Sequence, residues 1–121
     1  MGETGNDAMT RHVSPEMTAC IEACSTCHAL CVDTLHYCLV RGGNHAAAVH
    51  IGVVHVCADL CAVSVSSMRL GVDECVHICR ACADVCEACA DSCEMHGNDD
   101  MLTRCAAACR HCAEACRRMA A

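Results

Sequence analysis

The sequence predicts an all-α fold: an antiparallel up-down-up-down four-helix bundle with a cysteine-lined interior. Three observations predict it. Cysteine recurs in four separate runs, mostly at alternating spacings of four and three residues, the repeat that keeps one helix face turned to a common axis. Glycine, asparagine and aspartate cluster at the breaks between the runs, at Gly42-Gly43-Asn44, Gly71-Val72-Asp73 and Gly97-Asn98-Asp99-Asp100, as helix ends and starts require. The one proline, Pro15, stands where the first helix should begin, so no proline breaks a run.

Residues 1–13 read as a flexible N-terminal tail, with Gly2, Gly5 and Asn6 and no periodicity, and residues 14–121 as the bundle domain. Ser14-Pro15-Glu16 has the chemistry of a helix start: a capping hydroxyl, a proline suited to the first helical position and a carboxylate near the positive helix end. The first helix should run to about Val40. Asn44 is the expected cap of a second helix from His45 to about Met68, and Val72 or Asp73 opens a third that ends near Met95 or His96. Asn98-Asp99-Asp100 supplies the cap of a fourth that runs to about Arg118. Short connections make consecutive helices antiparallel neighbours.

The cysteine columns carry the chemistry. The first helix holds Cys20, Cys24, Cys27, Cys31 and Cys38; the second Cys57 and Cys61; the third Cys75, Cys79, Cys82, Cys86, Cys89 and Cys93; the fourth Cys105, Cys109, Cys112 and Cys116. At about 100° per residue each set falls within an arc of roughly 60–80°. Charges such as Asp84, Glu87, Asp91 and Glu94, or Arg110, Glu114 and Arg117, take the opposite faces, so the sulfur columns should face the bundle axis. Cysteine passes for a small buried hydrophobe where one or two are present. Seventeen in aligned columns, in a chain with one aromatic residue, call for a different explanation, since packing alone selects Leu, Ile and Val.

Crowded thiolates cannot remain uncompensated in a low-dielectric interior, so the thiols are either protonated or bound to a soft cation. Thiolate donors select Cu(I), zinc or iron–sulfur clusters. Pairs at i,i+3 and i,i+4 stand about 5–6 Å apart at Cβ, close enough for one helix to clasp an ion between two of its own sulfurs. Zinc demands closed tetrahedra, which an unbroken column does not mark out, and iron–sulfur cysteines lie in loops, which are missing here. The reading is therefore storage or sequestration of multiple Cu(I) ions. The alternatives are a structural or storage zinc–thiolate protein and a thiol redox buffer.

Composition excludes other classes. The chain carries a net charge of −7, with no lysine among its 8 basic residues, which argues against nucleic acid as a partner. The odd count of 17 cysteines and their helical register oppose a disulfide scaffold. The polar start shows no apolar signal region, so a cytoplasmic location is expected, where thiols stay reduced. A redox enzyme would place one Cys-x-x-Cys at a helix N-terminus with an acid–base constellation around it, and a copper chaperone would expose a single pair; neither pattern is present.

The segments Cys20-Ile-Glu-Ala-Cys24-Ser-Thr-Cys27, Cys75-Val-His-Ile-Cys79-Arg-Ala-Cys82 and Cys105-Ala-Ala-Ala-Cys109-Arg-His-Cys112-Ala-Glu-Ala-Cys116 resemble the cytosolic branch of the bacterial copper storage proteins, from Pro15 to Arg118. The resemblance implies a homotetramer of four-helix bundles, each storing many Cu(I) ions inside and loading from one end. One departure is the second helix, with two cysteines and a stripe that continues through His50, Val53, Val54, Ser64 and Met68. Its only formally charged side chain between Ala46 and Met68 is Asp59. Its outer face (Val49, Val56, Leu60, Val63) reads as an oligomer interface, and His50, His55, Asp59 and Ser64–Ser67 oppose a membrane span. Antiparallel topology gathers His36, Cys38, His50, Cys93, His96, Met101 and Cys105 at one end, and Met17, Cys20, Met68, Cys75, Cys116 and Met119 at the other. Imidazole and thioether hold Cu(I) less firmly than thiolate, so His50, His96 and Met101 are the expected ligands where copper is admitted.

Overall fold

The computed structural model describes residues 13–121. The expected N-terminal tail therefore lies outside the described residues, apart from Val13. Four helices follow one another: α1 Pro15–Arg41, α2 Ala48–Leu70, α3 Cys75–His96 and α4 Asp100–Met119. Each packs against its neighbours in sequence, and α4 closes the ring on α1. That is the square up-down-up-down arrangement that short connections enforce.

The helix starts vary in how they are capped. At α1 the backbone N–H of Met17 donates to Ser14 Oγ at 3.1 Å, ahead of Pro15 in the first turn. The start of α2 differs from the expectation at His45. A 3₁₀ turn spans Gly43–Ala46, and the α-helix begins only at Ala48, with no side-chain cap. The cause lies in the connection. Gly42 and Gly43 both take positive φ, of 71° and 58°, which turns the chain sharply and leaves Asn44 inside the turn, where its amide donates to the His96 carbonyl at 3.4 Å. Similarly, α3 opens at Cys75 rather than at Val72 or Asp73. Asp99 stands at the N-cap position of α4, but its carboxylate makes no cap bond. It is drawn instead to Tyr37, Arg41 and His45.

The outer seam between α3 and α4 is held by ion pairs. Arg110 reaches Glu94 at 2.7 Å and Asp91 at 3.0 Å, and Arg117 pairs with Glu87 and Asp84. All are exposed, so each contributes at most ~1 kcal/mol. On the seam between α1 and α2, His28 Nδ1 donates to the Ala58 carbonyl at 2.8 Å. By length and composition α2 would be able to cross a membrane. In the bundle it turns His50, Val54, Cys57, Cys61, Ser64 and Met68 inward, while Val49, Val56 and Val63 stay exposed and Leu60 half-buried.

Candidate metal centre

All 17 cysteines are free thiols and all are buried. Sixteen of them are 0% exposed and Cys75 is 7% exposed, so the axis of the bundle is lined by buried sulfur along most of its length. Neighbouring sulfurs meet between helices as closely as along them. Cys20 stands 3.5 Å from Cys116, Cys24 3.5 Å from Cys112, Cys27 3.7 Å from Cys109 and Cys31 3.8 Å from Cys57. On the far wall Cys57 is 3.6 Å from Cys86, and Cys61 is 3.8 Å from Cys82.

These pairs define a register, and the register defines layers. On α2 the buried stripe His50, Val54, Cys57, Cys61, Ser64, Met68 repeats the 4-3-4-3-4 spacing of the six cysteines on α3. Extending the cross-helix pairs by those steps stacks six layers along the axis. Two are all cysteine: Cys27, Cys61, Cys82, Cys109 and Cys31, Cys57, Cys86, Cys105. Two on one side have a substitute on α2: Ser64 among Cys24, Cys79 and Cys112, and Met68 among Cys20, Cys75 and Cys116. On the other side comes a layer of Thr34, Val54, Cys89 and Leu102, and beyond it a layer of Cys38, His50 and Cys93.

Sulfurs from adjoining layers also form groups of four whose donor atoms all lie within 4.8 Å of one another. Examples are Cys24-Cys82-Cys112-Cys116, Cys61-Cys82-Cys86-Cys112, Cys27-Cys31-Cys57-Cys109 and Cys31-Cys89-Cys105-Cys109. Most of these cysteines belong to more than one group, so a sulfur placed to bind one ion is placed to bridge to the next.

Protonation follows from this crowding. Hydrogen bonding, with Cys109 first, pulls the thiols of Cys27, Cys57 and Cys105 down. The same bonds, with Cys105 first, push Cys109 up. Cys61 is pushed up, by Cys112 first, and Cys93 by Cys105, then Cys89. These thiols hydrogen-bond to one another, so the metal-free core can stay protonated, whereas a core of bare thiolates would have too little solvation; a soft cation is what lets these sulfurs ionise together.

At the Cys38 end the donor set changes. His50 Nε2 lies 3.5 Å from Cys38 Sγ, and its Nδ1 shares a 2.7 Å hydrogen bond with Ser92 Oγ. Burial, then the neighbouring His96, holds the His50 ring below its ordinary pKa, which keeps it neutral, the form that ligates metal. The rings of His50 and His96 stack, with centroids 4.5 Å apart. His96 Nδ1 donates to the Ser92 carbonyl at 2.8 Å, leaving its Nε2 as the acceptor. Of the expected residues at this end, the structure brings Cys38, His50 and His96 together. His36 is exposed, and Met101 lines a groove outside the tube between α1 and α4, with Val32, His36 and Val40. Over the rim, Asp99 accepts the Tyr37 hydroxyl and pairs with His45 at 3.2 Å. At the opposite end Met68 is fully buried, while Met17 and Met119 are half-buried.

Sequence reasoning missed Ser92, which orients both histidines, and the layer of Thr34 and Leu102. Signals for that layer were present: Thr34 stands three residues after Cys31, inside the gap to Cys38, and Leu102 three before Cys105.

Comparison with known proteins yields one family and several relatives. The profile of a family described as copper storage protein matches residues 13–121. A curated relative, an uncharacterised cysteine-rich protein of Bacillus subtilis (strain 168), is 42% identical over 103 residues, covering 85% of this chain and 94% of that protein. The solved structure of a Cu(I)-bound copper storage protein, BsCsp3, is 40% identical, with a TM-score of 0.82 over 88% of this chain and 99% of that one. The metal-free copper storage protein 3 from Bacillus subtilis matches with a TM-score of 0.77 at 40% identity, over 86% of this chain and 98% of that one. A crystal structure from Nitrosospira multiformis matches at 0.81 and 39%, over 87% and 94%.

Proposed function

The chain belongs to the copper storage protein family and stores multiple Cu(I) ions inside its four-helix bundle, and from that premise we propose that it is a cytoplasmic homotetramer whose 17 cysteines are the ligands. The observation that carries this reading is the sharing of sulfurs between groups of four. A structural zinc protein needs separate closed tetrahedra. Overlapping groups instead suit Cu(I), which accepts thiolates that bridge one ion to its neighbour. Residues 14–121 act as one storage domain. The exposed valines of α2, Val49, Val56 and Val63, form the contact between copies, which gives this apolar helix a second buried face and makes it an assembly helix rather than a membrane span.

Copper is admitted at the end where Cys38, His50 and His96 meet. A neutral imidazole beside a thiolate binds Cu(I) less tightly than thiolates alone, which suits a site that must pass its ion on. Met101, on the outer groove with His36, offers a thioether at the approach to this mouth.

The test is a titration of the fully reduced protein with Cu(I) against a chromophoric chelator, with circular dichroism followed in parallel. Uptake of more than about ten ions per chain, with full helicity before metal is added, is the expected result. Uptake of one or two ions, with about four zinc ions bound more readily, would replace storage by a structural zinc role.

A further inference from the structure

The layer of Thr34, Val54, Cys89 and Leu102 separates two regions that both bear sulfur. All four side chains are at most 1% exposed. On one side lies the mouth with Cys38, His50 and Cys93; on the other lie the four cysteine-rich layers. The layer itself offers little to a soft cation. Val54 and Leu102 have no donor atom, and the Thr34 hydroxyl donates to the Leu30 carbonyl at 2.7 Å, back along its own helix. Cys89 is its one thiol.

Distance makes this matter. Successive layers are about 5 Å apart, since each step is three or four residues at 1.5 Å. Two sulfurs sharing one ion stand at most about twice a metal–sulfur bond of ~2.3 Å apart. A bare cation does not cross an apolar interior without a ligand, so an ion that leaves the mouth must pass where sulfurs meet across this layer, and they meet at the corner between α3 and α4, where Cys93 hydrogen-bonds with Cys105 and with Cys89. Along α1 the column of sulfur stops between Cys31 and Cys38. On α2 it stops at Cys57, and on α4 it ends at Cys105. Only α3 carries it through, as Cys86, Cys89 and Cys93. Cys89 also belongs to the group Cys31-Cys89-Cys105-Cys109, so the donor that reaches up toward Cys93 is already part of the store below.

We propose that this layer is a partition dividing the tube into a small exchange compartment at the mouth and a storage compartment beneath it, and that copper crosses it only along the corner between α3 and α4, by transfer among Cys93, Cys89 and Cys105. The transfer is ligand exchange: a Cys93 thiolate releases the ion as Cys89 and Cys105, both within its hydrogen-bonding reach, take it, with no change in oxidation state. Placement of the mouth at this end rests on the function proposed above. The partition makes the store slow to fill and slow to empty, whereas the mouth equilibrates quickly.

Loading kinetics of the reduced full chain test it, with Cu(I) supplied on a chromophoric chelator in stopped flow. The parent should fill in two phases: one or two ions quickly, the rest slowly. Cys89→Ala, which leaves only the direct step from Cys93 to Cys105, should slow the second phase at least threefold, while final capacity falls by no more than about two ions and helicity is retained. Val54→Cys, which adds a donor to the opposite wall, should accelerate the second phase at least threefold. This arm stands independently if Cys89→Ala folds poorly. Unchanged second-phase rates in both variants overturn the partition. If instead Met68→Leu with Cys75→Ala slows filling and Cys89→Ala does not, copper enters at the opposite end and the layer is a floor, which also overturns it. Failure of the storage reading looks different, because the parent itself would then take up only one or two ions.

Discussion

Ser64 shows how much a single atom can say about the interior. Its hydroxyl is buried and has no hydrogen-bond partner among the described residues. An unsatisfied buried hydroxyl costs about 1–3 kcal/mol, so Ser64→Ala should raise the stability of the metal-free protein by about 1 kcal/mol, read as a higher urea midpoint at unchanged slope. The hydroxyl sits level with Cys24 and Cys79, in a position where the other helices carry sulfur. Ser64 therefore stands among thiols rather than in a hydrogen-bonded network. That the residue faces inward was legible in its register with Cys57 and Cys61. Its lack of a partner was not, because Ser67, three residues further on, donates to the Ser64 carbonyl at 2.8 Å and leaves the side chain alone.

Among the elements, the joint between the end of α1, the 3₁₀ turn and the start of α4 is the most polar part of the fold. Asp99 gathers Tyr37, Arg41 and His45. The Tyr37 hydrogen bond, with His45 behind it, holds its carboxyl below the ordinary value of 3.8. A carboxylate with a depressed folded-state pKa stabilises the fold above its unfolded pKa, and that contribution disappears as pH falls through the folded value. Asp99→Asn should therefore lower the thermal midpoint at pH 7 by about 1–5 °C, in keeping with a half-exposed cluster. Melting curves taken below about pH 3.8 should show the gap to the parent closing. Gly97 lies under the same joint, where a Cβ would come within 2.6 Å of Asp99 Oδ1 and 2.7 Å of Leu102 Cδ1. Close approach, and not backbone conformation, explains glycine at this position. The sequence suggested a helix cap here; the competition from Tyr37 and His45, which arrive from two other elements, turned the carboxylate away from it.

For the whole molecule, the metal-free state is a core of thiols where other bundles have Leu and Ile. Burial, then Asp99 and nearby thiols, pushes Cys38 up to about 11 from its ordinary value of 9.0. A group whose folded pKa is raised contributes stability that is complete below the unfolded value and is lost as pH rises through the folded one. The metal-free protein should therefore lose stability between about pH 9 and pH 11, as seen in thermal melts under strict reduction. The Cu(I)-loaded protein should melt higher and show a much weaker loss over the same range, because its thiolates are already ionised and compensated, and because a ligand bound only by the native state adds stability by mass action.

By itself the sequence determined which residues face the axis. Spacings of three and four decide that within each helix, from local backbone geometry alone, and they were enough to name the bundle, the sulfur columns and the soft cation they suit. Only the tertiary structure decided which residues stand level across helices. Register depends on the 3₁₀ turn after Gly42, the late start of α3 at Cys75 and the packing of one stripe against the next, none of which is a property of a single helix. Level placement is what joins His50 to Cys38 and Ser92 and brings the gaps in three cysteine columns together as one apolar layer with Cys89 as its only sulfur.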